Sequence, residues 1–94
     1  MNILHLNLKG EYWDDIFYGR KKEEYRQVKP YWTNRMSKQY DVIGLKRGYP
    51  KKYDHDKIHY VPWRGFTIKT ITHPHFKNGL EPVQVYAIRV ESKP

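Results

Sequence analysis

The chain contains no cysteine, which excludes a disulfide framework and a thiolate metal site. Serine occurs only at Ser37 and Ser92, one in an expected helix and one in the tail, so a Ser/His/Asp triad has no support. No apolar run approaches the roughly 20 residues needed to cross a bilayer, and no membrane partner is expected. Met1 leads straight into an alternating segment rather than into a basic region followed by the apolar stretch of an export signal, so the expected location is cytoplasmic. Aliphatic side chains are also scarce. Val, Ile, Leu and Phe together supply 21 of the 94 residues, so the nine Tyr and three Trp must carry much of the burial. At about 150 residues per domain, residues 1–94 form a single domain. A chain this short buries only about 60–65 % of its unfolded surface, and its stability must come from sheet pairing and aromatic packing.

What the sequence does have is positive charge. The net charge is +8, which biases the chain toward polyanions, with nucleic acid first among them. The charge is concentrated in residues 20–38 and 46–69, each summing to +5. Both blocks are interleaved with aromatics: Tyr25, Tyr31 and Trp32 in the first, Tyr49, Tyr53, Tyr60 and Trp63 in the second. Lys and Arg displace counterions from phosphates, and aromatic faces stack unpaired bases at about 1–3 kcal/mol each. Trp13, Trp32 and Tyr86 fit a core role better.

Residues 2–8 alternate, with Leu4, Leu6 and Leu8 on one face and Ile3, His5 and Asn7 on the other, as in a half-buried strand. From Gly10 to Tyr18 the period changes. Tyr12/Ile16 and Trp13/Phe17 form one apolar stripe of a two-turn helix, with acids near its start, bases after its end, and Gly19 as a left-handed cap. Lys22 to Val28 reads as a second strand and Pro30 to about Lys38 as a short helix opened by proline. Tyr40 to Arg47 reads as a third strand. The stretch Gly48 to Lys57 has no apolar period and reads as a loop, available for binding rather than packing. Ile58 to Thr72 is broken at Pro62 and Trp63-Arg64-Gly65, giving two strands or one sharply bulged strand. Asn78-Gly79 marks a turn, and Val83 to Val90 alternates as a closing strand. This order predicts an α+β protein: a small barrel of five to six mostly antiparallel strands with two short, segregated helices.

His55 and His59 fall about 13 Å apart in an extended segment, and Pro74 separates His73 from His75, so no metal site or other cofactor is expected. His5 is expected to be a satisfied barrel or cleft residue.

The densest cluster is Gly19-Arg20-Lys21-Lys22-Glu23-Glu24-Tyr25-Arg26 at a helix-to-strand junction. In a regular strand Glu24 and Arg26 share one face, and an isolated buried charge costs several kcal/mol, so these charges must be paired, lie in a cleft, or stand on an exposed edge strand. Gly19, Lys21, Glu24 and Arg26 match the G-x-K-x-x-E-x-R signature of the ASCH (activating signal cointegrator homology) domain family. The chain also resembles this family in its first strand, in the Tyr12-Trp13-Asp14-Asp15-Ile16 helix before the signature, and in the closing Val85-Tyr86-Ala87-Ile88 strand. Residues 48–80 carry no part of the resemblance. It implies a PUA-like β-barrel of the small single-domain bacterial or phage type, with the signature in a cleft that holds RNA or a nucleoside.

On that basis the expected function is RNA or nucleotide binding, by a monomer whose partner is RNA, single-stranded nucleic acid or a nucleoside. The binding residues expected are Lys21, Lys22, Glu24, Arg26, Lys46, Arg47, Lys51, Lys52, Tyr53, Trp63 and Arg64. The alternative is hydrolysis, either of a modified nucleoside or as a ribonuclease. Some small ASCH proteins deacetylate N4-acetylcytidine with a Lys, a Thr and a Glu. Lys21 matches the Lys, whereas the Thr position falls on Glu24, which would instead serve as general base toward a water. The catalytic residues on this reading are Lys21 and Glu24. A protein-interaction role is the remaining class.

Overall fold

The structure, a computed structural model, describes residues 1–50, 54–74, 76 and 79–91. Among these residues six strands and two α-helices follow one another as β1 (Ile3–Leu8), α1 (Gly10–Phe17), β2 (Glu23–Gln27), α2 (Pro30–Met36), β3 (Val42–Arg47), β4 (Ile58–Pro62), β5 (Phe66–Ile71) and β6 (Val83–Arg89), with a 3-10 turn at His55–Lys57 before β4. The fold is α+β, as the sequence predicts, and Ile58–Thr72 forms two strands separated at Trp63–Gly65.

The strands pair into two three-stranded sheets, ordered β1-β3-β4 and β2-β6-β5. Among the described residues no ladder joins them, so the expected closed barrel is not what the pairings make. Four pairings define the sheets: β1 with β3 is parallel, and β3 with β4, β2 with β6 and β5 with β6 are antiparallel. A parallel pair requires a long crossover, and here it is the α1-β2-α2 segment. That excursion carries the charge-dense signature out of the first sheet and into the second.

Alternation in β1 sends Leu4, Leu6 and Leu8 inward, where they meet Ile43, Leu45 and Val61 of their own sheet, Tyr86 and Ile88 of the other, and Trp13, Ile16 and Met36 from the helices. The strand β6 departs from the expected alternation, because Val85, Tyr86, Ala87 and Ile88 are all buried. It is the central strand of its sheet. Tyr86 and Ile88 face the shared core, while Tyr25 and Lys69, paired with Ala87 and Val85 across the ladders, stand on the opposite face. Phe17 also departs, being 48 % exposed. It stacks on Trp13 at 5.0 Å between centroids and meets His59 edge-on; the apolar stripe of α1 is wider than the core beneath it.

Two local devices place the signature. Gly19 adopts φ +78°, a left-handed conformation that side chains with a Cβ rarely take. The reversal lets the Arg20 and Lys21 amides both donate to the Asp15 carbonyl, at 2.8 and 3.0 Å, so the chain doubles back and Lys21 stands beside the start of β2. At α2, Lys29 is extended before Pro30, and the Thr33 amide closes the first turn on the Lys29 carbonyl.

Candidate functional site

β1 and β2 are each the edge strand of their sheet. They approach one another where Arg26 of β2 donates through Nη2 to the Asn7 carbonyl of β1 at 3.1 Å, so a guanidinium spans a gap that a backbone ladder would otherwise fill. The candidate site occupies this seam.

Glu24 and Arg26 lie opposite Ile88 and Tyr86 in the β2–β6 register, on the face turned toward the core. Glu24 is 5 % exposed and is the one buried charged residue among the described residues. Its two oxygens are divided between two cations. Lys21 Nζ donates to Oε1 at 2.8 Å and Arg26 Nη2 donates to Oε2 at 2.9 Å. Of the alternatives open to this cluster, an exposed edge, paired burial or a cleft, the structure combines the last two. The sequence expectation that Glu24 and Arg26 share a face holds.

Aromatic rings complete the arrangement. Lys21 Nζ sits 4.5 Å from the Tyr12 ring centroid and 5.6 Å from that of Tyr25. The Arg26 guanidinium lies 5.1 Å from the Trp32 ring, with its Nε buried and without a hydrogen-bond partner. Such contacts contribute about 0.5–2 kcal/mol each and hold long side chains in one rotamer. The resulting cavity, about 90 Å³, is lined by Asn7, Leu8, Lys9, Tyr12, Lys21, Glu24, Tyr25, Arg26, His73 and Phe76. It is far smaller than the roughly 300–1,000 Å³ of a drug-sized pocket, so it suits one ring or one small acyl group. Two cations against one carboxylate leave it positive, and Glu24 keeps lone pairs for a donor such as an exocyclic amine.

The chain matches no known family model, no curated protein and no solved structure.

The other expected site residues are dispersed. Lys22 is exposed, beside a shallow hollow shared with Glu23, Lys69 and Arg89. Arg47 pairs with Asp14 at 3.2 Å and covers Gly10. Trp63 is half-buried, packing edge-on against Tyr40 at 5.3 Å and tilted against Phe66 at the margin of the core. Arg64 Nε donates to the Glu91 carbonyl at 3.2 Å and anchors the chain after β6. Lys46 stands beside Asn7 in the β1–β3 ladder, at the rim of the seam. Lys51, Lys52 and Tyr53 lie outside the described residues. His5 is exposed on the outer face of the first sheet rather than enclosed in a barrel or cleft. The slight desolvation of its ring, and then the charges of Lys46 and Arg35, hold its pKa below the ordinary histidine value.

Sequence reasoning did not place Tyr12, His73 and Phe76 in the site. Tyr12 carries helical periodicity, which reads as core. His73 meets Tyr12 edge-on at 6.2 Å only because the segment after β5 folds back over α1, a contact with no local signal. Among the described residues, no group of three or more His, Asp or Glu side chains is arranged to hold a metal ion, and no helix is long and apolar enough to cross a membrane.

Proposed function

We propose that the protein binds RNA or a nucleotide by taking one unpaired base into the seam between β1 and β2. The observation that carries this reading is the buried Glu24, held between Lys21 and Arg26 under the faces of Tyr12 and Tyr25. Burying a carboxylate and partly desolvating its two cations is expensive, and replacing such a triad with apolar residues is often neutral or stabilising, so it is better explained by recognition than by stability. Aromatic walls stack a base of any identity, while the ammonium, guanidinium and carboxylate read its edge.

The same residues form the G-x-K-x-x-E-x-R signature through which the chain resembles the ASCH family, and we assign it there on that ground. The finer reading of the fold is the PUA-like barrel. On that reading the strands follow one another round the barrel as β1-β3-β4-β5-β6-β2, with two unladdered junctions, one at the β4–β5 connection and one at the seam, which the Arg26 side chain bridges.

One distance favours a second reading. Lys21 Nζ and Glu24 Oε1 at 2.8 Å are within proton-transfer reach, which would suit hydrolysis of a modified nucleoside with Glu24 orienting water. The deciding experiment offers the purified protein labelled single-stranded RNA and, separately, N4-acetylcytidine. Salt-sensitive RNA retention, weakened by Lys21→Ala and without product, supports binding. Lys21-dependent release of acetate overturns it in favour of catalysis.

A further inference from the structure

On the far side of β2 from the base pocket, over the outer face of the second sheet, lies a wider hollow of about 440 Å³, against about 90 Å³ in the seam. The ladders assemble it. Glu23 of β2 faces Arg89 of β6, and Lys69 of β5 reaches over that central strand to donate to Glu23 Oε1 at 2.7 Å. Arg89 Nη2 donates to Glu91 Oε1 at 3.0 Å. The Lys22 carbonyl accepts from the Val90 amide at 3.0 Å, which fixes Lys22 beside the same pair. Arg20 and Lys21 close the lining ahead of β2, so five cations stand against the carboxylates of Glu23 and Glu91.

The hollow and the seam share two walls, Lys21 and Tyr25. Glu24 and Arg26 face the core side of β2 while Glu23 and Tyr25 face outward, so a ligand that fills both concavities folds over the free edge of β2 at those two side chains. The seam is sized for one ring. The hollow is polar and open, and its floor spans β2, β6 and β5, about 10 Å at about 4.8 Å per strand. A nucleic-acid strand advances about 3.4 Å per phosphate when stacked, so this width takes two or three phosphates, more than a mononucleotide brings. Lys22 has no acidic partner among the described residues. The pairs made by Lys69 and Arg89, whose side chains are 45 % and 50 % exposed, are of the surface kind that adds little to stability and can exchange a carboxylate for a phosphate. An acidic peptide would meet the same cations and leave the ring-sized pocket behind Tyr25 unfilled.

We infer that the hollow carries the sugar–phosphate backbone of a single nucleic-acid strand whose base enters the seam, so that the ligand is an oligonucleotide and not a free nucleoside or nucleotide. This rests on the base-pocket reading for what occupies the seam. Lys22, Lys69 and Arg89 are then phosphate contacts that position the strand and carry no sequence information, while Lys21 and Tyr25 mark where it turns inward.

The experiment measures binding of a labelled single-stranded RNA decamer containing all four bases, as a function of salt. Lys22→Gln should reduce the salt slope by about 0.7, and Lys22→Gln/Lys69→Gln/Arg89→Gln together by about 2, with at least about tenfold weaker binding. The exposed Lys29, Lys38 and Lys57 lie outside the hollow, and replacing all three by Gln removes the same charge and should leave the slope unchanged. Glu23→Gln releases Lys69 and should tighten binding about twofold or more, an effect that a folding defect does not produce, whereas Asp56→Asn, an equal change at an exposed site elsewhere, should not. Hollow variants that behave like the Lys29, Lys38 and Lys57 control overturn the inference; if Arg26→Lys still weakens the decamer, the base pocket stands without it. A decamer of abasic sugar–phosphate that binds as tightly as the RNA and keeps the Lys22 dependence overturns the base pocket and leaves the hollow as a phosphate site. Nucleoside 5′-monophosphates of the four bases that match the decamer in affinity overturn the strand, as does displacement of the decamer by poly-glutamate at equal charge concentration, which would identify an acidic protein surface as the partner.

Discussion

Replacing Glu24 by Gln preserves shape and removes one charge from the triad, which makes it the sharpest perturbation of the seam. The carboxylate accepts from Lys21 at 2.8 Å and from Arg26 at 2.9 Å. Gln offers one oxygen to two cations and turns an NH2 group toward the other, so a donor faces a donor. Removing one partner of a buried ion pair costs about 3–5 kcal/mol. Lys21 and Arg26 retain 22 % and 21 % side-chain exposure, and water screens part of the loss, which lowers the expected cost to about 2–3 kcal/mol. For a domain of this size each kcal/mol shifts Tm by about 4–8 °C, so a fall on the order of 10–20 °C is expected in a thermal melt followed by far-UV circular dichroism. At about 0.05–0.15 kcal/mol per residue the domain keeps enough stability to be folded at room temperature, and RNA binding can be measured on the same sample. The companion variant replaces all three charges, Lys21→Met, Glu24→Leu and Arg26→Met. Without ions to desolvate it should melt near or above the parent protein and bind no RNA. A Glu24→Gln melt within about 2 °C of the parent would refute the reasoning, because it would mean that the three charges are solvated independently.

Three further outcomes follow from the same geometry. Trp13→Ala removes the indole that donates to the Leu45 carbonyl at 2.9 Å and stacks on Phe17, and should cost about 3–5 kcal/mol in a denaturant titration. Gly19→Ala meets no atom within 4 Å, so its penalty is backbone strain alone, about 1–2 kcal/mol; because the turn positions Lys21, RNA affinity should fall with stability. Arg26→Lys keeps the charge but loses the planar group that reaches Glu24, the Asn7 carbonyl and the Trp32 face together, so RNA affinity should drop at least about tenfold without change in net charge. An affinity equal to that of the parent would show that Arg26 acts only as a point charge.

The candidate site was legible in the sequence as far as its charges. The spacing of Lys21, Glu24 and Arg26, with Gly19 ahead of them, identified a cluster needing partners or a cleft, because strand alternation and the cost of burying ions are local arguments. Other residues expected to bind have partners that the sequence did not disclose: Arg47 is ion-paired with Asp14, Trp63 packs edge-on against Tyr40, and Arg64 donates to the Glu91 carbonyl. Each of those partners is more than 20 residues away in sequence, beyond the reach of any periodicity.

The amino-acid order alone determined the elements: β1 from its Leu alternation, α1 from the Tyr12–Phe17 stripe and Gly19, α2 from Pro30, and the break at Trp63–Gly65. These depend on interactions within a few residues, where backbone sterics and side-chain period act directly. Tertiary structure decided that β1 pairs in parallel with β3 and not with β2, that the described strands pair as two three-stranded sheets, and that β6 is buried on both faces. It also decided that the two free edges meet at the Arg26 side chain. Strand partnership depends on which apolar faces bury most surface together, a property of the whole chain, and a cavity exists only where that packing leaves a seam.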